Sequence, residues 1–424
     1  MKKERQGKQP TKWPSLSEKE RDRRWGLVRE LMRAEGVECL VAFGLKGREQ
    51  FDRYLTNDRT GGICIFPLEG DLVHLTWTDF DLAAHMESAL RGEASWVRDM
   101  RVGANGAGVV DVLREKGFER ANIGVLGLDY ATAGEMEGCV PYRTWSYILD
   151  NLPGAKFREM SMAMALLTFP KSDEELALVR RAAAIAESAA CAMLRVTRPG
   201  QSESKIYAAV VRELYVNGAN GSPQPYLGPL ILQSGPDNPG WGPPMWLFRG
   251  GEPRRVQKGD LVQAEIFSRY GSMESQAQMC IALAPVRREN KKAAAIARRS
   301  YEAGLKALRP GNKVLDVVEA MEEPLRQAGA YHITPLIHSL APLAIGASGT
   351  GVGMENLPGF EKYRWKGATK VRGADMIIQP NTVWELEPNP YIGKHRVNIG
   401  GTVVVTQDGA EPLNDVTTRM RVVG

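Results

Sequence analysis

The chain has 424 residues, of which 43% are hydrophobic and 25% charged, with a formal net charge of +5. This balance suits a soluble globular protein with enough apolar residues for two or three ordinary domains. No Lys/Arg stripe interleaved with aromatics and no apolar run of about 18–20 residues is present, so neither nucleic acid nor a membrane is an expected partner. The first twelve residues, MKKERQGKQPTK, read as a solvated basic tail with no apolar run behind it, which argues against a secretory signal. Cys39, Cys64, Cys139, Cys191 and Cys280 are scattered and show no CxxC spacing. That usage predicts reduced thiols and a cytoplasmic location.

In chain order, residues 17–35 predict a helix: Ser17 can cap it, and Trp25, Leu27, Val28, Leu31 and Met32 recur at helical spacing. Gly36 stops it, and VECLVAFG (37–44) reads as a buried strand. ICIFPLEGDLVHLTW (63–77) predicts a hairpin turning at Glu69–Gly70. Helices near 80–91 and 106–117 and the strand NIGVLGLD (122–129) complete an alternating α/β domain that ends near residue 165.

A second region then begins. Ser172 and Asp173 can cap an Ala-rich helix reaching about Arg195, and Pro199–Gly200 separates it from a helix over 202–218. Further helices are predicted near 289–308 and 314–328. RPGN at 309–312 echoes RPGQ at 198–201, each between two helices. Two helix–RPG–helix units followed by sheet segments predict a pseudo-two-fold repeat with sheet inside and helices outside. The Gly/Pro-rich stretch 235–253 reads as a long loop carrying Trp241, Met245, Trp246 and Phe248, of the kind that often serves function.

The stretch QAEIFSRYGSMESQAQMC (263–280) reads as strand, tight turn and strand, with Glu265 and Gln276 on its two arms. Downstream, Glu387 precedes the run Asn398–Ile399–Gly400–Gly401. Two carboxylates converging in a partly dry cleft repel each other, so either one takes up a proton or a cationic group sits between them. That group is a ligand, or an arginine of this chain such as Arg269 or Arg396. The five histidines are His74, His85, His332, His338 and His395. His74 and His332 read as structural. His338, in PLIHSLAP, and His395, in GKHRVNIGG, are the two that can supply a base near neutrality, the other reading being a hydrogen-bonded turn residue. Gly349, Gly351 and Gly353 have the wrong spacing for a dinucleotide loop, and no GxSxG, HExxH or phosphate loop occurs.

Six segments in order, FPKSDEELALVRRAA, RPGQSESKIYAAV, KGDLVQAEIFSRYGSMESQAQ, GTGVGMENLPG, WELEPNPYI and NIGGTVVVTQDGAEPLN, carry a resemblance across essentially the whole chain. The sequence resembles the creatinase/aminopeptidase P superfamily. The resemblance implies an α/β N-terminal creatinase-like domain (1–165) followed by an α+β pita-bread catalytic domain (166–424) with a pseudo-two-fold internal repeat. Metallopeptidases of that superfamily bind two metal ions through Asp, Asp, His, Glu and Glu. The corresponding positions here are Glu265, Gln276, Thr350, Glu387 and Gly400. Two divalent ions about 3.5–4 Å apart need several anions, so no metal and no cofactor is expected.

The retained pair, Glu265 and Glu387, resembles the metal-free creatinase branch, where two glutamates hold a cationic guanidinium-type substrate. The His that a creatinase carries on the loop before KGDLV has no counterpart in PPMWLFRGGEP. His338 precedes the pseudo-ligand motif, where superfamily members often have a substrate-contacting His, and is the favoured acid–base group. FDRYLTN (51–57) resembles the segment that reaches the neighbouring active site in dimeric members. Phe51, Arg53 and Asn57 are therefore expected in trans in a homodimer, with Arg53 suited to a substrate carboxylate.

The expected function is a metal-independent hydrolase or lyase acting on a C–N bond of a small cationic or zwitterionic metabolite. Glu265 and Glu387 orient and polarise it, Gln276 and Thr350 add orienting hydrogen bonds, and His395 lies on the turn into the Gly400 strand. Trp241, Trp246 and Phe248 wall the cleft and grip an apolar or cationic group, or else pack the loop onto the domain or a second subunit. The alternatives are a non-catalytic pita-bread binding protein and, less strongly supported, a residual Xaa-Pro-type peptidase.

Overall fold

The computed structural model of the chain describes residues 13–44, 51–129, 140–219, 228–237, 240–333, 335–340, 355, 359–363 and 373–424. These divide into two compact units. One comprises residues 17–170 with 338–340, and the other 13–16, 171–337 and the described residues from 355 onward. The basic tail (1–12), Cys139, Thr350 and the glycines at 349, 351 and 353 lie outside the described residues.

In the N-terminal unit Ser17 Oγ accepts the Glu20 N–H at 3.2 Å, and Gly36 takes a left-handed φ of 68°. These two caps bound the helix Glu18–Glu35 where the sequence predicts it. The strands are β1 (Cys39–Phe43), β2 (Ile63–Pro67), β3 (Val73–Thr76), β4 (Asp99–Val102), β5 (Asn122–Leu126) and β6 (Lys156–Glu159). They form one sheet in the order β4-β3-β2-β1-β5-β6. β2 runs antiparallel to both neighbours and the other pairs are parallel. The near-continuous apolar runs of β1 and β2 are buried throughout, as strands covered on both faces require. The short helix Phe51–Thr56 is too brief to show a period in sequence.

In the second unit a capping box forms: Ser172 Oγ accepts the Glu175 N–H at 3.1 Å, and Glu175 Oε2 accepts the Ser172 N–H at 2.8 Å. It opens the helix Asp173–Val196, and Glu203–Val216 follows. The second helix–RPG–helix unit supplies Arg288–Ala307 and Val314–Gln327. The remaining strands are β7 (Leu230–Gly235), β8 (Leu261–Tyr270), β9 (Met273–Leu283), β10 (Ile337–Ser339, of which the unit boundary leaves only Ile337 here), β11 (Val383–Leu386), β12 (Tyr391–Ile392), β13 (His395–Arg396), β14 (Gly400–Thr406), β15 (Gly409–Pro412) and β16 (Arg421–Val423). The main sheet has the order β10-β11-β14-β9-β8-β7, with β15 beside β14 and β16 beside β9.

β8 and β9 form the predicted hairpin, in register from Leu261↔Ala282 to Tyr270↔Met273. Gly271 turns it with a left-handed φ of 58°. Period-two alternation then separates two faces. Val262, Ala264 and Ile266 join Ala277, Met279 and Ile281 in a core with Ala186, Met193, Ile206 and Val210 of the first helix pair. Each large aliphatic side chain buried there contributes about 1.5–3 kcal/mol. A one-residue slip would exchange the faces, so this core fixes the register. The opposite face carries Gln263, Glu265 and Arg269 on β8 and Glu274, Gln276 and Gln278 on β9, all buried.

Candidate active site

The hairpin register sets Glu265 directly across from Gln278, and Gln278 across from Gly400 on β14. β11 pairs β14 through Leu386↔Gly401, so Glu387, the next residue, reaches the same face. Glu265, Gln278 and Glu387 are all buried. A chain of amides joins them. Gln263 clamps the segment entering β14, donating from Nε2 to the Arg396 carbonyl at 3.0 Å and accepting the Asn398 N–H at 2.7 Å. Asn398 Nδ2 donates to Gln278 Oε1 at 2.7 Å, and Gln278 Nε2 donates to Glu387 Oε2 at 3.1 Å. The Glu387 rotamer is therefore set by a neutral N–H donor, itself oriented by a second amide.

Charge is dense on this face. Glu274 stands across from Arg269 in register. Arg396, fully buried, donates to the Gly240 carbonyl at 2.6 Å and lies over the Tyr391 ring. Burial pulls its pKa below the ordinary arginine range, and the charges of Glu387 and Glu265 are among those that oppose the shift. Glu385, two residues before Glu387 and fully buried, has Oε1 without a hydrogen-bond partner. Burial first, then the charges of Glu387, Glu265 and Glu274, push its pKa well above the ordinary carboxylate range. At pH values between the unfolded and the folded pKa, the native state holds a proton there that the unfolded chain has released. Stability is highest at or below the ordinary glutamate range and falls as pH rises toward the folded pKa. Glu385→Gln is expected to raise stability by about 1–3 kcal/mol at pH ~8, with a smaller gain near pH ~4. Calorimetric scans of both proteins at the two pH values measure it.

The structure brings Glu265 and Glu387 onto one face but corrects the role of Gln276. Its Nε2 donates to Glu274 Oε1 at 2.5 Å, and its backbone N–H donates to Thr402 Oγ1. Gln278, two residues on, is the amide that touches Glu387. Folding the sequence about Gly271–Ser272 would have found it, because 265 and 278 are equidistant from that turn. Asn398 and Glu385 were missed as well. The signal for Glu385 is alternation: it shares a face with Glu387 because they are two apart on a strand.

His338 is buried on β10, its Nδ1 3.0 Å from the Ser339 carbonyl. His395 Nδ1 lies 3.2 Å from the Pro236 carbonyl and 3.6 Å from Asp237 Oδ1, so its ring is tied to the 235–253 loop. That loop contains a short helix, Trp246–Arg249. Trp246 lines a cavity with Glu203, donating to Glu203 Oε2 at 3.2 Å, while neither Glu265 nor Glu387 lines it. Phe248, on the same short helix, is 64% exposed. Arg53, on the Phe51–Thr56 helix, donates from Nη2 to the Arg59 carbonyl at 3.2 Å.

The dinuclear centre of the resembled metallopeptidases can be tested against these residues. Gln278 Nε2 donates to Glu387 Oε2, which orients that carboxylate but leaves its other lone pairs open. Gly400 has φ 144°, and a Cβ there would lie 1.8 Å from the Leu386 carbonyl oxygen. Among the described residues no group of three or more His, Cys, Asp or Glu is disposed to hold a metal ion. Of the positions compared, Glu265 and Glu387 alone bring a carboxylate, where two divalent ions call for several anions.

Comparison with known proteins agrees with the fold. The creatinase of Bacillus sp. (strain B-0618) is 22% identical over 421 residues, covering 94% of this chain and 92% of that protein. The Xaa-Pro dipeptidase of Pyrococcus furiosus is 22% identical over 280 residues, covering 66% of this chain and 72% of that protein. The crystal structure of a prolidase from Thermococcus sibiricus superposes with a TM-score of 0.70 at 16% identity, covering 96% of this chain and all of that one. The α/β unit followed by an α+β pita-bread unit is thus the architecture of solved prolidases. The model of metallopeptidase family M24 matches residues 177–407, more than half of the chain, and the chain belongs to that family.

Proposed function

We propose that the chain is a hydrolase of this family that has exchanged metal coordination for amide-oriented carboxylates. It acts on a C–N bond of a small cationic or zwitterionic metabolite. The observation that carries this reading is the Asn398–Gln278–Glu387 relay, in which neutral amides orient one of only two carboxylates, Glu265 and Glu387, where two divalent ions would call for several anions. Glu265 and Glu387 then attract the positive group of an organic substrate. Gln278 fixes the angle at which Glu387 meets it, which favours a charge distribution that develops only in the transition state. In hydrolysis His338 would take a proton from the attacking water as its oxygen bonds to the carbon. The same proton would pass to the departing nitrogen as the C–N bond breaks. A lyase would use the same base on a substrate carbon. Homodimerisation, with Arg53 reaching a substrate carboxylate in the neighbouring site, belongs to this proposal.

A second reading is an Xaa-Pro peptidase, favoured by the Xaa-Pro dipeptidases among the relatives. Chelation separates the two. After exhaustive dialysis against a chelator, turnover of guanidino, betaine or amide metabolites is expected to be unchanged, with metal substoichiometric by elemental analysis. Cleavage of Xaa-Pro dipeptides that disappears on chelation and returns with Mn²⁺ would establish the second reading instead. Ligand binding with no turnover under either condition would leave a binding protein.

A further inference from the structure

We propose that the cavity at the edge of the sheet beside β7 is a binding site for an organic monocation, a guanidinium or primary ammonium group on an apolar stem. The cavity has a volume of about 440 Å³, within the range of pockets that hold small organic ligands. Glu203, Trp246, Glu252, Arg254, Leu232 and Pro244 contribute to its lining, and the Glu265–Glu387 pair does not.

The charges of the lining decide the ligand. Asp237 is matched by Lys394 Nζ at 2.8 Å, and Arg254 by Asp260 Oδ2 at 2.6 Å. Glu203 is 7% exposed and is held by neutral donors: Ser234 Oγ at 2.6 Å on Oε1 and Trp246 Nε1 at 3.2 Å on Oε2. The Arg254 carbonyl accepts the Glu203 N–H at 2.8 Å, and its guanidinium donates to Ser234 Oγ at 2.8 Å, one hydroxyl away from the carboxylate. No Lys, Arg or His among the described residues pairs with Glu203 or with Glu252. A carboxylate taken from water needs a cationic partner more than neutral donors. Each Glu203 oxygen keeps a second lone pair for it.

The walls are suited to the rest of such a ligand. Trp246 is braced edge-on by Tyr207, with ring centroids 5.9 Å apart. An indole beside a carboxylate attracts a cation through both its ring face and the neighbouring charge. Met245, 53% exposed, gives the stem an apolar contact. A neutral ligand of the same shape gains the wall contacts but not the Glu203 pairing.

Trp246 is also the reporter. The full chain is labelled with 5-fluorotryptophan, the Trp246 resonance is assigned with Trp246→Phe, and methylguanidinium or neutral methylurea is titrated. Methylguanidinium is expected to shift this resonance saturably, with methylurea at least about tenfold weaker, as a charge-assisted pair predicts. Glu203→Gln, which keeps an acceptor for Ser234 and Trp246, is expected to weaken methylguanidinium at least about tenfold. The Glu265→Gln/Glu387→Gln double variant should leave the Trp246 response intact, so failure here is distinct from failure of the active-site reading. Equal binding of methylurea, an unmoved Trp246 resonance, or full affinity in Glu203→Gln would overturn the site. Should Glu203→Gln not fold, Glu252→Gln at the exposed rim decides: about threefold weaker binding supports the site, and unchanged affinity removes it.

Discussion

Glu387→Gln is expected to lower kcat/KM by about a thousandfold or more, the scale of losing an oriented charge that supports the transition state. The substitution is nearly isosteric and leaves Gln278 an oxygen to donate to, so the relay from Asn398 survives while the charge does not. Thermal stability should stay within about 1 kcal/mol of wild type, because a buried charge is removed together with its desolvation cost. The comparison is made on whichever metabolite the substrate screen identifies, with Tm recorded for both proteins. The division between kcat and KM then assigns the role. A loss confined to KM means that Glu387 only holds the substrate's cation. An equal loss in kcat and kcat/KM means that it acts in the transition state. Activity within tenfold of wild type would remove Glu387 from the mechanism.

The sequence carries the elements that local physics determines. Ser17 and Ser172 cap their helices because the capping donor lies three residues on, inside the span that a linear pattern displays. Alternation along 261–283 likewise announces two strands and separates an apolar from a polar face. What it does not display is which polar residues meet. Gln276 aligns with a ligand position of the resembled family, yet its amide turns to Glu274, and Gln278 takes the contact with Glu387. That choice depends on where Asn398 arrives, 120 residues later, held in place by Gln263. Trp246 tells the same story: the loop's aromatics are conspicuous in sequence, but its partner Glu203 sits 43 residues earlier at the start of a helix. Long-range side-chain pairing is a property of the packed sheet and loops, and no window along the chain contains it.

Gly400→Glu, which would put a carboxylate where the resemblance to metallopeptidases aligns their last metal ligand, is expected to unfold the site rather than create a metal centre. Gly400 has φ 144°, a conformation that a residue with a Cβ rarely adopts. A Cβ placed there lies 1.8 Å from the Leu386 carbonyl oxygen, 2.9 Å from its carbon and 3.1 Å from Glu387 Cα. All three are backbone atoms, so no rotamer change relieves the clash, and β14 must separate from β11. The cost is about 3–5 kcal/mol, the range of backbone clashes in packed interiors. It should appear as a Tm about 10 °C lower for the C-terminal unit. Gly400→Ala should lose nearly as much, since the first side-chain carbon makes the contact, and neither variant should take up Mn²⁺ stoichiometrically. Two Mn²⁺ per chain in a Gly400→Glu protein of wild-type Tm would show that the sheet relaxes readily into a metal-binding geometry. The collision with Leu386 argues instead that the backbone between Glu385 and Thr402 leaves no room for any side chain at this position.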